Sequence, residues 1–227
     1  MSLDRRLFLL SAPLALAACT TTQSPRVSRV LPPSMDPQFL SMYGAINDEP
    51  FPVPAVDLSE VDPRFLRQEV DFRTQYQPGT IVVDPNERHA YLVMANNRAL
   101  RYGVGVGKQE GFNFRGEGVI ARKAVWPRWT PTPAMIAREP ERYGPYAAGM
   151  PGGETNPLGP RALYIYKDGQ DTLYRLHGTT EPWTIGTMVS SGCIRFMNQD
   201  IIDLYRRVPT GTKVVVLPAT GAGNGVS

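Results

Sequence analysis

His177 and Cys193 are the residues of this 227-residue chain best suited to chemistry. Histidine and cysteine each occur only twice, and one of each falls within HGTTEPWTIGTMVSSGCIRFMNQD, residues 177 to 200. A cysteine thiol titrates at about 8.5 and is mostly protonated at neutral pH; an imidazole within hydrogen-bond reach takes that proton and generates a thiolate nucleophile. The separation of 193 − 177 = 16 positions is too long for one helix face, so the chain between them must fold back. Gly192 permits a tight backbone turn ahead of the thiol. Amides at that turn, including that of Cys193, would form an oxyanion hole worth about 3 kcal/mol per donor to a tetrahedral intermediate. The expected reaction class is acyl transfer. The imidazole also needs an acceptor on its other ring nitrogen; no acidic residue adjoins His177, and the backbone carbonyl of Gly178 is the candidate. Packing is the ordinary role for both residue types. Two histidines and this one thiol lack the spaced ligand set of a zinc site, so neither a metal nor another cofactor is expected.

The elements that must position these groups read as a mostly β domain. Short runs of strand-forming residues occur at TIVVD (80–84), HAYLVM (89–94), RALRYGVGVG (98–107), ALYIYK (162–167), TLYRLHG (172–178) and KVVVLP (213–218), separated by turn residues such as DPNE and KDGQD. Ile201, Leu204, Tyr205 and Val208 recur at helical spacing, which predicts a helix after the cysteine. Asn198 or Asp200 would cap its start, Arg206 and Arg207 suit its C-terminal dipole, and Pro209 and Gly211 end it. The order is strand to His177, loop to Cys193, helix, final strand. Between the strand groups, WPRWTPTPAMIAREPERYG and the residues after it form a long irregular stretch of the kind used for lids and binding loops. Only AMIAREPERY looks helical there, and Trp126 and Trp129 suit either a core or a substrate platform.

The formal charge of +3 comes from scattered lysines and arginines, so no nucleic-acid footprint is visible. Residues 1–19 combine Arg5-Arg6, an apolar run from Leu7 to Ala18, and Cys19, which is the pattern of an export signal. The paired arginines suit a twin-arginine or an ordinary secretory route. Leu16-Ala17-Ala18-Cys19 resembles the lipobox of bacterial lipoproteins, in which the cysteine carries lipid; Thr20 after it points by family habit to the outer membrane. The chain would then be periplasmic and tethered to a membrane. With Cys19 committed to lipid, no second thiol remains for a disulfide with Cys193, and a thiol kept in an oxidising compartment suggests chemistry. Residues 20–64, rich in proline, read as a tether reaching roughly 40 Å if flexible; Phe39, Met42, Tyr43 and Phe51 are the residues that would pack if part of it lay on the domain. Residues 65–218 form the expected catalytic domain and 219–227 a disordered tail.

The motif S-S-G-C-I-R (190–195), preceded by H-G-T (177–179) and followed by N-x-D and G-T-K-V-V-V, resembles that of the L,D-transpeptidases of the YkuD type. WPRWTPTPAMI, GMPGGETNPLGPRALYIY and YRLHGT are similar to its ErfK/YbiS-like subgroup, and the likeness runs from about Pro78 to Pro218. It implies a β sandwich with a few short helices, Cys193 as nucleophile and His177 as proton donor and acceptor. Ser191 stands where many members have His, and Ser190 would shape the turn. Arg195 is placed either to hold a substrate carboxylate or to make a structural ion pair. The implied substrates are peptidoglycan stem peptides. Cys193 would attack a diaminopimelate carbonyl, expel D-Ala and pass the acyl group to a second stem peptide or to a lysine of an outer-membrane protein. Two rival readings are a cysteine peptidase that trims the wall, and a non-catalytic wall-binding lipoprotein.

Overall fold

The computed structural model describes residues 36–107, 114–190 and 192–219. The export signal, Cys19, the first part of the expected tether, Ser191 and the tail beyond 219 lie outside the described residues.

Ten strands form among the described residues: β1 (Gln68–Asp71), β2 (Ile81–Asp84), β3 (His89–Val93), β4 (Arg98–Gly107), β5 (Gly116–Val125), β6 (Arg161–Lys167), β7 (Gln170–His177), β8 (Met188–Ser190), β9 (Ile194–Phe196) and β10 (Lys213–Val216). Apolar runs become the strands buried deepest. Ile81, Val82 and Val83 of β2 are all buried, and β10 pairs beside them in parallel register, Val214 opposite Ile81. The sheet runs β4-β3-β2-β10-β5-β6-β7-β9, and β9 then pairs back onto β4, Val104 opposite Phe196. Eight strands thus make a closed ring, and the two faces of the expected sandwich belong to one continuous sheet. Closure leaves the ring without an open edge that would invite pairing with another chain. β1 and β8 attach to opposite ends of β4.

Inside the ring, Ile81, Val104, Ile120, Leu163, Ile165, Leu176 and Phe196 are fully enclosed. The helices are short: α1 (Pro37–Met42), α2 (Pro133–Arg138), α3 (Pro140–Tyr143) and α4 (Asn198–Arg207). In α4 the predicted apolar spacing holds, with Ile201 and Leu204 buried against the ring. Its predicted cap does not. Met197 is the N-cap and makes no side-chain capping bond, and Asn198 is the first helical residue. The helical stretch AMIAREPERY is broken into α2 and α3 at Glu139, because Pro140 cannot donate to the preceding turn.

From Asp36 onward the expected tether packs on the domain, which therefore begins well before residue 65. Asp36 caps α1 by accepting from Gln38 N at 2.8 Å. Tyr43, Leu58, Val61, Phe65, Leu66, Ile185 and Met197 make a second apolar core. Burying these side chains outweighs the extended preference of the prolines, two of which, Pro37 and Pro63, serve as first residues of helical turns. Polar groups clamp the same segment. The Tyr43 hydroxyl accepts from Arg67 N at 2.6 Å and donates to Asp200 Oδ2 at 3.2 Å. Gln199 Nε2 donates to the carbonyls of Gly44 at 3.1 Å and Pro54 at 2.8 Å. Glu49 pairs with Arg161, both nearly buried. Burial pushes the Asp200 carboxyl up to about 7, so the Tyr43 donor is one of the few groups that compensate its desolvation. Tyr43→Phe removes that donor and the acceptor for Arg67 N together. The expected loss is about 1–3 kcal/mol in urea unfolding of the soluble domain, where a free tether would give none.

Candidate active site

The parallel pairing of β7 with β9 assembles the site. Leu176 lies opposite Ile194 and His177 opposite Arg195. Side chains alternate across a strand, and residues in register on neighbouring strands share a face. Leu176 and Ile194 therefore point together into the ring, where both are buried in the core. His177, Arg195 and Cys193 take the opposite face. Sixteen positions in sequence become a two-residue offset between adjacent strands, a Cα separation of about 8 Å from strand spacing and rise.

His177 ends β7, and its Nδ1 donates to the Gly178 carbonyl at 2.6 Å. A carbonyl only accepts, so Nδ1 carries the proton and Nε2 is left with its lone pair. Burial, reinforced by the nearby Arg195 guanidinium, pushes the imidazole down to about 3 despite the opposing pull of the Gly178 carbonyl. The ring is thus neutral at physiological pH, with Nε2 as a base.

Gly192 precedes Cys193 with φ +123, a conformation open to glycine and strained for other residues. Burial pushes the Cys193 thiol above its ordinary value, while the charge and backbone N–H of Arg175 pull it down. The sulfur lies 3.9 Å from the Leu173 carbonyl. Leu173 itself sits at φ +64, where the β6–β7 register shifts, and its N–H donates to Asp171 Oδ1 at 2.8 Å. Its carbonyl also receives the Arg175 guanidinium.

His177, Cys193 and Arg195 open onto one cleft of about 450 Å³, which Trp129, Leu173 and Glu181 also line. Met135, Arg138, Tyr143 and Tyr146 on and after α2 and α3 form a further wall, so the irregular stretch expected to supply a binding loop borders the site. The structure gathers some predicted site residues and not others. Trp129 lines the cleft with its ring 6.2 Å from Tyr143 and 6.0 Å from Tyr146. Trp126 does not line it. At φ +45 its ring turns to Phe51, 5.0 Å away, and its Nε1 donates to Glu49 Oε2 at 3.2 Å, because the packed N-terminal segment offers it both an aromatic and an acceptor. Arg195 reaches the cleft already engaged, with Nη1 2.9 Å from Glu181 Oε2. Ser190 ends β8, opposite Gly107. Three contributors went unread in the sequence: Leu173, Arg175 and Glu181. Arg175 was readable, since it stands two positions before His177 on a strand and so shares its face. The positive φ of Leu173 leaves no sequence signal.

Residues 78–216 match the YkuD family, described as the L,D-transpeptidase catalytic domain. The chain belongs to that family. It is 35% identical over 139 residues to the Probable L,D-transpeptidase YbiS of Escherichia coli K12, covering 60% of this chain and 43% of that one. It is 37% identical over 142 residues to the Probable L,D-transpeptidase ErfK/SrfK of Salmonella typhimurium, again covering 60% and 43%. The chain therefore spans less than half the length of these curated relatives. Among solved structures it is similar to a Brucella melitensis protein named as a probable carnitine operon oxidoreductase, at 53% identity and a TM-score of 0.48, covering 69% of this chain and 96% of that one.

With the imidazole lowered and the thiol raised, the pair rests as neutral imidazole and thiol. Alkylation of Cys193 by iodoacetamide should then climb with pH past the ordinary thiol value of about 8.5. A rate plateau between roughly pH 5 and 8, the mark of a preformed thiolate–imidazolium pair, would contradict this.

Proposed function

We propose that this protein is an L,D-transpeptidase that acts on peptidoglycan stem peptides. The observation that carries the reading is the placement of His177 and Cys193 on one face of the β7–β9 pair, at a cleft, in a chain of the YkuD family. As Cys193 Sγ attacks the diaminopimelate carbonyl of a tetrapeptide, its proton passes to His177 Nε2 and negative charge moves to the carbonyl oxygen. The turn at Gly192 is the candidate oxyanion site. Collapse of the intermediate breaks the amide bond, and the His177 imidazolium returns the proton to the departing D-Ala amine. A thioester remains. An acceptor amine then attacks it, His177 takes the amine's proton, and Sγ leaves and is reprotonated. Concerted transfer suits a pair that rests neutral, because no isolated charge has to be held in the buried site.

The cleft suits a peptide of mixed charge. Arg195 offers a carboxylate partner if substrate displaces Glu181, and Trp129 with Tyr143 and Tyr146 offers an apolar wall. The acceptor is the amine of a second stem peptide or of a lysine on an outer-membrane protein. Incubation of the soluble domain with purified sacculi, followed by mass spectrometry of the released muropeptides, should give 3→3 linked dimers and free D-Ala. Cys193→Ala and His177→Gln should reduce the product by at least about 10³-fold. Shortened monomers without dimers would instead mark a hydrolase.

The same reading places the protein in the periplasm, held by lipid on Cys19 and facing the wall from the outer membrane. Metabolic labelling with a palmitate analogue should mark the full chain, and Cys19→Ala should abolish the label and release the protein into the soluble fraction. Label retained in that variant would overturn the anchor.

A further inference from the structure

We propose that Asn198 is a positioning residue for the His177 base and acts through the peptide unit that joins Gly178 to Thr179. The inference rests on the proton role given to His177 above. That peptide is planar, so its carbonyl and its N–H are fixed relative to each other. The carbonyl end, Gly178 O, accepts from His177 Nδ1 at 2.6 Å. At the other end, Thr179 N donates to Asn198 Oδ1 at 2.9 Å. One side chain at the start of α4 thereby sets the tilt of the plane whose oxygen selects the imidazole tautomer.

The surroundings are built for this approach. A Cβ at Gly178 or at Gly159 would collide with Asn198 Oδ1, and Gly159 also holds φ +63. Two glycines thus clear space for one amide oxygen, and the backbone of Gly178 rests against Gly159. Asn198 makes no capping bond for α4, the usual task of an asparagine at a helix start. Its oxygen is instead spent on Thr179. Because a donated N–H polarises the carbonyl of the same peptide, the bond to Asn198 also makes Gly178 O a stronger acceptor. Without it the plane can rotate, the ring can take up the other tautomer with Nε2 protonated, and that form cannot accept the thiol proton.

The test is the ¹⁵N NMR spectrum of the His177 ring, with acylation kinetics beside it. In the wild type, Nδ1 should appear protonated and Nε2 unprotonated, and the Thr179 amide should exchange with solvent as slowly as the amides of β7. Asn198→Ala should populate the Nε2-protonated tautomer and slow acyl-enzyme formation by about tenfold, the scale of one lost orienting hydrogen bond, with substrate KM little changed. Asn198→Asp, which keeps the acceptor oxygen, should restore the wild-type tautomer and most of the rate. A tautomer unchanged in Asn198→Ala would overturn the proposal. Should that variant fail to fold, a freely exchanging Thr179 amide in the wild type would overturn it as well. The ring spectrum needs no substrate, so it judges Asn198 even if the wild type forms no acyl-enzyme, an outcome that would count against the proposed activity alone.

Discussion

Three residues of β9, laid parallel to the end of β7, are the constraint on which the site depends. β9 is short and gains little from its own ladder. It is held because Ile194 and Phe196 are buried in the ring while its other edge pairs with β4. The core residues fix the register, and the register puts His177, Arg195 and Cys193 on the outward face. A slip of one residue would turn Cys193 inward and bring Ile194 out, so core packing and site geometry are one requirement.

Around that pair the electrostatics are those of a partly dry site with cationic neighbours. Burial opposes charge on both the imidazole and the thiol. Arg175 and Arg195 shift the balance toward a thiolate and against an imidazolium. Such a field favours negative charge when it develops on sulfur or on a carbonyl oxygen, without requiring it at rest. The N-terminal segment is joined to the same framework. Gln199 and Asp200 of α4, one and two positions beyond the Asn198 that holds the 178–179 peptide, bond to Tyr43, Gly44 and Pro54.

Much of this was legible in the sequence where burial writes a pattern. Strands with one or both faces in the core, such as β2, β4, β6 and β10, stand out as apolar runs, and α4 as a helical period. β5 was missed because most of its residues face solvent, β1 because its four residues, QEVD, are mostly polar and half-exposed, and β8 and β9 because three residues show no period. Rarity and order singled out His177 and Cys193, and the lack of a neighbouring acid singled out the Gly178 carbonyl. What could not be read depends on backbone geometry and on long-range partners. Trp126 turns toward Glu49, Glu181 is the partner that Arg195 takes for its ion pair, and Leu173 takes a positive φ. Each is decided by an atom distant in sequence or by a strained conformation that no residue type announces.

The most direct measurement is the separation of His177 Nε2 and Cys193 Sγ in a crystal structure of the domain with the thiol reduced. The β7–β9 register and the Gly178 tether on Nδ1 lead to a distance of about 3–4 Å with both atoms facing the cleft. A separation beyond about 6 Å, or a ring turned so that Nδ1 rather than Nε2 faces sulfur, would contradict the proposed pair.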